Sequence, residues 1–240
     1  MKSVMTLVSL HGHPAVKAAY SWLDSEQFSM RSSVEQWSSI NSGSHNLTGL
    51  AHMQQELLSA FNALECEHEI ISLPDSEYID SQGIVQNRKN ANLLRFYKRP
   101  GVKRKVLLTG HYDTVFGTNH AFQTCCWLDD NTLNGPGVAD MKGGILVMLN
   151  ALIALEQSPF AAGLGWEVLL SPDEETGSLA SAPYLVKRAP NFDIGLTYEP
   201  AMADGTLAGA RKGNKISNYH VPLSWCGQGG PAKFIIQRFR

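Results

Sequence analysis

The apolar positions of the chain follow two rhythms. Between residues 15 and 40 they recur at helical spacing, first Val16, Ala19, Trp22 and Leu23, then Phe28, Val34 and Trp37. A second helical segment runs from Leu50 to Leu64, its stripe made of Leu50, Met53, Leu57, Leu58, Phe61 and Leu64. The turn Asn41-Ser42-Gly43-Ser44 separates the two, and Gly12 and Pro14 mark residues 1–14 as a loose N-terminal extension. Beyond residue 64 the pattern shortens. Strands are expected around His68–Leu73, Asn92–Tyr97, Lys105–Thr109, Trp166–Leu170 and Phe192–Thr197. The Asn92–Tyr97 and Lys105–Thr109 strands read as neighbours joined by the turn Arg99-Pro100-Gly101. Helices are expected over Gly144–Glu156 and Ser178–Lys187. Strands alternating with helices predict an α/β fold, a mixed, largely parallel sheet flanked by helices.

Composition narrows the class. With 240 residues, 43% hydrophobic and 18% charged, the chain can build one large core or two modest ones. A net charge of −2 leaves no basic footprint for nucleic acid and no polybasic membrane patch. No apolar run is expected to reach the ~20 residues of a membrane span, and His11, His13 and Lys17 follow the short run Val4–Leu10 too closely for a signal peptide. A cytoplasmic protein is expected. The four cysteines, Cys66, Cys125, Cys126 and Cys226, form no C-x-x-C pair, so no zinc ribbon is indicated. Nor is there a G-x-x-x-x-G-K-[ST] loop, which argues against a nucleotide-binding domain.

The chemistry concentrates where strands end. His111-Tyr112-Asp113 follows the apolar run Val106-Leu107-Leu108. In extended chain a two-residue spacing places both side chains on one face, so Asp113 can hold one ring nitrogen of His111 while the other faces a metal. Glu174 and Glu175 follow Leu169-Leu170, and Glu199 follows Ile194–Thr197. Acidic residues and a histidine at several strand mouths describe a metal site. His45, His52 and His120 read as surface histidines, and Asp129-Asp130 as a solvated turn.

Taken together, His111-Tyr112-Asp113, Gly137-Val138-Ala139-Asp140-Met141-Lys142-Gly143-Gly144, Asp173–Ser178 and Tyr198-Glu199-Pro200 resemble, in order and spacing, successive motifs of the M20 metallopeptidases. The resemblance spans about residues 35 to 215, and the Tyr-Glu-Pro-Ala around Glu199 looks most like the glutamate carboxypeptidase branch. It implies two zinc ions, with His111 and Glu199 on one, Glu175 on the other and Asp140 bridging both. It also implies a cis peptide between Asp140 and Met141. Glu174 would act as general base, Asp113 as the residue orienting His111, and Arg211-Lys212-Gly213 would mark the passage into a second domain. The substrate would be a small peptide or N-acyl amino acid with a free carboxylate, hydrolysed at its amide bond.

Against that pattern, residues 15–212 correspond to the N-terminal portion of the catalytic domain, and residues 213–240 to the start of the lid through which relatives dimerise. The family's late histidine, lid histidine and carboxylate-gripping arginines find no counterpart. Asn218-Tyr219-His220-Val221 begins a lid-like strand, but Pro222, Trp225 and Gly227–Pro231 break it. A shifted reading frame just after Val221 would produce that break. Two readings follow: a zinc hydrolase impaired by its missing elements, or a non-catalytic, metal-binding remnant.

Overall fold

Pro14 opens the first helix, α1 (Pro14–Ser25). Its missing N–H falls where a helix leaves that donor unpaired anyway, and His13 Nδ1 accepts the Ala15 amide at 3.2 Å. The helical rhythm predicted over 15–40 divides at Glu26, after which α2 (Gln27–Ser39) begins. Asn46 caps α3 (Leu47–Phe61) by accepting the Gly49 amide at 3.1 Å. Leu50, Met53, Leu57 and Phe61 of that helix all point inward.

The computed structural model describes residues 12–79, 83–201, 220–222 and 233–235. After α3 come β1 (Glu67–Ile71), β2 (Ser76–Ile79), β3 (Val85–Arg88), β4 (Leu93–Lys98), β5 (Arg104–His111), β6 (Cys126–Asp129) and β7 (Thr132–Asn134). Then follow α4 (Gly143–Glu156), β8 (Leu164–Ser171), α5 (Ala182–Arg188), β9 (Ile194–Thr197), β10 (His220–Pro222) and β11 (Lys233–Ile235). The chain divides into two compact units, Met1–Leu73 with Asn90–Pro200, and Pro74–Lys89 with Ala201–Arg240. In the second, β2 pairs antiparallel with β3, and β10 with β11. Arg211-Lys212-Gly213 and most of the tail after Val221 lie outside the described residues.

The first unit is built on a five-stranded sheet in the order β1-β4-β8-β5-β9. Strand β4 runs antiparallel to both β1 and β8, while β5 runs parallel to β8 and β9. The two strands expected to be neighbours, β4 and β5, are therefore separated by β8. Six consecutive residues of β8 are buried, and such a strand belongs in the interior of a sheet. Trp37, Leu50, Met53, Leu57, Phe61, Ile145 and Leu149 of α2, α3 and α4 pack with Leu94, Phe96, Leu108, Val168 and Leu170 of the sheet. Arg188, ending α5, donates through Nε to Glu167 Oε1 on β8 at 2.8 Å, and Arg95 on β4 joins the same carboxylate at 2.8 Å.

One expectation fails. Val138–Glu156 spans 19 residues and holds an 18-residue window of mean hydropathy 1.7, long and apolar enough to cross a membrane by length and composition. Its composition has a local cause: Ile145, Leu146, Met148, Leu149 and Leu152 of α4 are buried within the protein.

Connectivity marks one point of the sheet. From β5 the chain passes through α4 to β8 on one side, and from β8 through α5 to β9 on the other side of β5. Where the strand order reverses in this way, a crevice opens beyond the C-terminal ends of the strands. His111 is the last residue of β5.

Candidate metal centre

His111 is 1% exposed at that strand end. Its Nδ1 lies 3.2 Å from Asp113 Oδ1 and 3.1 Å from the Asp113 carbonyl oxygen, so Nδ1–H donates there and Nε2 faces outward. Three carboxylates surround Nε2: Asp140 at 2.9 Å, Glu199 at 3.7 Å and Glu174 at 3.9 Å. Burial opposes a charge on His111, but hydrogen bonds to Asp113 and Glu199 outweigh it and hold the imidazole up at about 11. In this state the ring carries a proton where a cation would sit.

Asp113 is fully buried and does more than orient the ring. Its carboxylate also accepts the Glu174 amide at 3.2 Å, the Glu175 amide at 3.2 Å and the Ser44 hydroxyl at 2.7 Å. One carboxylate thus ties the β5 histidine to the loop after β8. Asp173 shapes the same loop by accepting the amides of Ala180 and Ser181 at 2.9 and 3.2 Å.

The Asp140 segment is pinned on both sides. The Asp140–Met141 peptide is cis, as the family resemblance implied. Met141 is wholly buried, and its sulfur accepts the His111 amide at 3.2 Å. Gly137, at φ 69°, supplies the left-handed turn that starts the segment. Lys142, also wholly buried, donates to the carbonyls of Trp37 at 2.9 Å and Ile40 at 2.7 Å. Burial lowers its ammonium to about 8.

His111, Asp140 and Glu199 bring one nitrogen and two carboxylate oxygens within 4.8 Å of one another, the only such group among the described residues. One imidazole with two carboxylates is a donor set suited to a divalent ion such as zinc. Glu175 does not join it. Its amide reaches Asp113, while its carboxyl is pushed up to about 7 by burial and by Asp140, Asp113 and Glu174, with His111 acting the other way. The Glu174 carboxyl is likewise raised, by burial first. Beside the cluster lies a cavity of about 300 Å³, lined by Thr109, Leu169 and Leu185 and bordered by Glu174 and Glu199. His52 stays at the surface, and Asp129 sits at the β6–β7 turn, bonded to the Asn131 amide.

The roles of Ser44, Asp173 and Lys142 escaped the sequence reading. For Lys142 there was a signal, a single cation at the head of an otherwise apolar helix.

The sequence model of Peptidase family M20/M25/M40 matches residues 107–232, a span that contains every residue of this centre. The chain belongs to that family. Carboxypeptidase G2 of Pseudomonas sp. (strain RS-16) is 29% identical over 178 residues, covering 74% of this chain and 40% of the relative. Human carnosine dipeptidase 1 superposes with a TM-score of 0.63 at 17% identity, covering 78% of this chain and 41% of that one. The M20 family metallo-carboxypeptidase Sso-CP2 of Sulfolobus solfataricus gives 0.56 at 14% identity, over 80% and 40%. The chain therefore spans about 40% of the length of these relatives. The structural likeness extends to the M20 fold.

Proposed function

We propose that this M20 chain carries the metal centre of a zinc-dependent hydrolase that cleaves an amide bond in a small peptide or N-acyl amino acid. The observation that carries the reading is the His111–Asp140–Glu199 cluster at the switch point of the sheet. When bound, a zinc ion would polarise the scissile carbonyl and acidify a water molecule. His111 Nε2, Asp140 and Glu199 would hold that ion. Asp113 keeps the proton on Nδ1, leaving Nε2 free to coordinate. By the family resemblance, Asp140 and Glu175 would hold a second ion.

Glu174 is the general base. Its carboxylate is close to the cluster yet 46% exposed, so substrate can approach it. Its raised proton affinity suits a group that takes a proton from water and returns it to the departing amine. By the family resemblance, residues 15–212 would correspond to the N-terminal part of the catalytic domain. The small-peptide substrate class draws on relatives named as a carboxypeptidase and a dipeptidase.

A second reading, a one-metal binding module without catalysis, draws on Glu175, whose carboxylate stands outside the cluster. Assaying dipeptides and N-acetyl amino acids with and without zinc separates the two. Zinc-dependent turnover that falls roughly 10²–10⁴-fold in Glu174→Gln, with zinc still bound, supports the hydrolase. Tight zinc binding without turnover on any substrate supports the module.

A further inference from the structure

We infer that Lys142 is a positioning residue that aims Asp140 at the metal centre by latching its segment to the end of α2. The inference rests on the proposed metal-binding role of Asp140. Asp140 exposes 53% of its side chain. A carboxylate this open takes its direction largely from its backbone. That backbone is irregular, with φ −122° and ψ 97° at Asp140 and φ −134° and ψ 32° at Met141. The two residues that follow hold it. Met141 plugs against β5, and Lys142 crosses to the opposite side.

The last carbonyls of a helix have no partner within it, and the helix dipole makes that end attractive to a cation. The Lys142 ammonium reaches the Trp37 carbonyl at 2.9 Å, which also accepts the Ile40 amide at 3.2 Å, and the carbonyl of the cap residue Ile40 at 2.7 Å. Its stem runs past Gly137, where an added Cβ would come within 3.1 Å of both Cδ and Cε. The Lys142 amide closes the loop on the Gly137 carbonyl at 2.8 Å. Beside it, the Ser38 hydroxyl donates to the Pro136 carbonyl at 2.9 Å, a second and uncharged tie between the same two segments. A methionine would fill the space of Lys142 equally well. What only the ammonium supplies is a directed link of two hydrogen bonds, and this link fixes where the residue two positions earlier points.

The test compares wild type with Lys142→Met, Lys142→Gln, which keeps a shorter, neutral N–H donor group, and Ser38→Ala. Two readouts are used: zinc affinity by chelator competition, and the His111 imidazole NMR signal of the metal-free protein, which senses Asp140 at 2.9 Å. Folding is checked by circular dichroism. We expect Lys142→Met to shift the His111 signal and to weaken zinc binding about 10- to 100-fold, with Lys142→Gln between it and wild type. Ser38→Ala should stay within about threefold of wild type, the loss of a single neutral hydrogen bond that leaves the Lys142 link in place. If Lys142→Met fails to fold, Lys142→Gln carries the comparison. A folded Lys142 variant with wild-type affinity and an unchanged His111 signal overturns the inference. If wild type takes up no zinc, the metal-centre reading falls, and the His111 signal alone decides whether Lys142 aims Asp140.

Discussion

The buried carboxylate of Asp113 holds Nδ1 of His111 at 3.2 Å and, with the same two oxygens, the amides of Glu174 and Glu175. The histidine at the end of β5 and the loop carrying Glu174 and Glu175 are thus set by one side chain. Replacing Asp113 with Ala should weaken zinc binding about 10- to 100-fold, because the ring loses its fixed tautomer and orientation. It should also cost about 1–3 kcal/mol of stability, since buried donors lose their acceptor. Chelator competition and urea unfolding check both. A variant that loses stability but keeps zinc affinity would limit Asp113 to a structural role.

Glu199 and Glu175 should behave differently on substitution. Glu199→Ala removes one of the three clustered groups proposed to hold zinc and should abolish tight zinc binding there. Glu175→Ala should leave that ion in place, because its carboxylate lies outside the cluster. Zinc content by elemental analysis of the two purified variants distinguishes them, and equal losses would contradict the assignment.

Gly144 passes close under the residue before Glu199. A Cβ at 144 would come 2.1 Å from the Tyr198 carbonyl oxygen. Alanine ordinarily favours a helix over glycine by about 1 kcal/mol, but an overlap with backbone cannot be relieved by a side-chain rotation. Overpacking of this kind costs about 1–3 kcal/mol. Gly144→Ala should therefore lower stability and displace Glu199, reducing zinc affinity. A stabilised variant would show that the β9 end yields freely.

Much of this architecture was legible along the chain, and what was not has a common cause. The helical stripe of α3 and the strand ends at His111 and before Glu199 follow from local periodicity. The place of β8 between β4 and β5 does not, because strand order is decided by which faces must be covered. The bond from Ser44 to Asp113 and those from Lys142 to Trp37 and Ile40 join distant stretches of chain through single side chains. Such contacts leave no periodic trace. Glu174 and Glu175 were expected to diverge as adjacent residues, but which would stand near His111 depended on the loop that Asp113 and Asp173 shape.

A pH-dependent contribution sits far from the metal centre, where Glu156 ends α4. Burial alone would raise its carboxyl, but hydrogen bonds from Arg99, Trp166 and Lys98 hold it down at about 2, against an ordinary 4.5. A carboxylate depressed on folding stabilises the native state above its unfolded value, and that stability is lost as pH falls through the folded one. Glu156→Gln should cost about 1–2 kcal/mol at pH 7, with the gap from wild type closing between pH 4.5 and about 2. Urea unfolding at several pH values tests this, and a gap that does not depend on pH would assign the loss to packing.

The most direct test of the central claim is a zinc titration of the purified chain, with His111→Ala beside it. His111 must give up a proton to receive the ion, so binding at neutral pH should release protons and tighten as pH rises. The account predicts at least one tightly held equivalent in wild type and its loss in the variant. No tight binding in wild type, or equal binding in both, would contradict a metal centre at His111, Asp140 and Glu199.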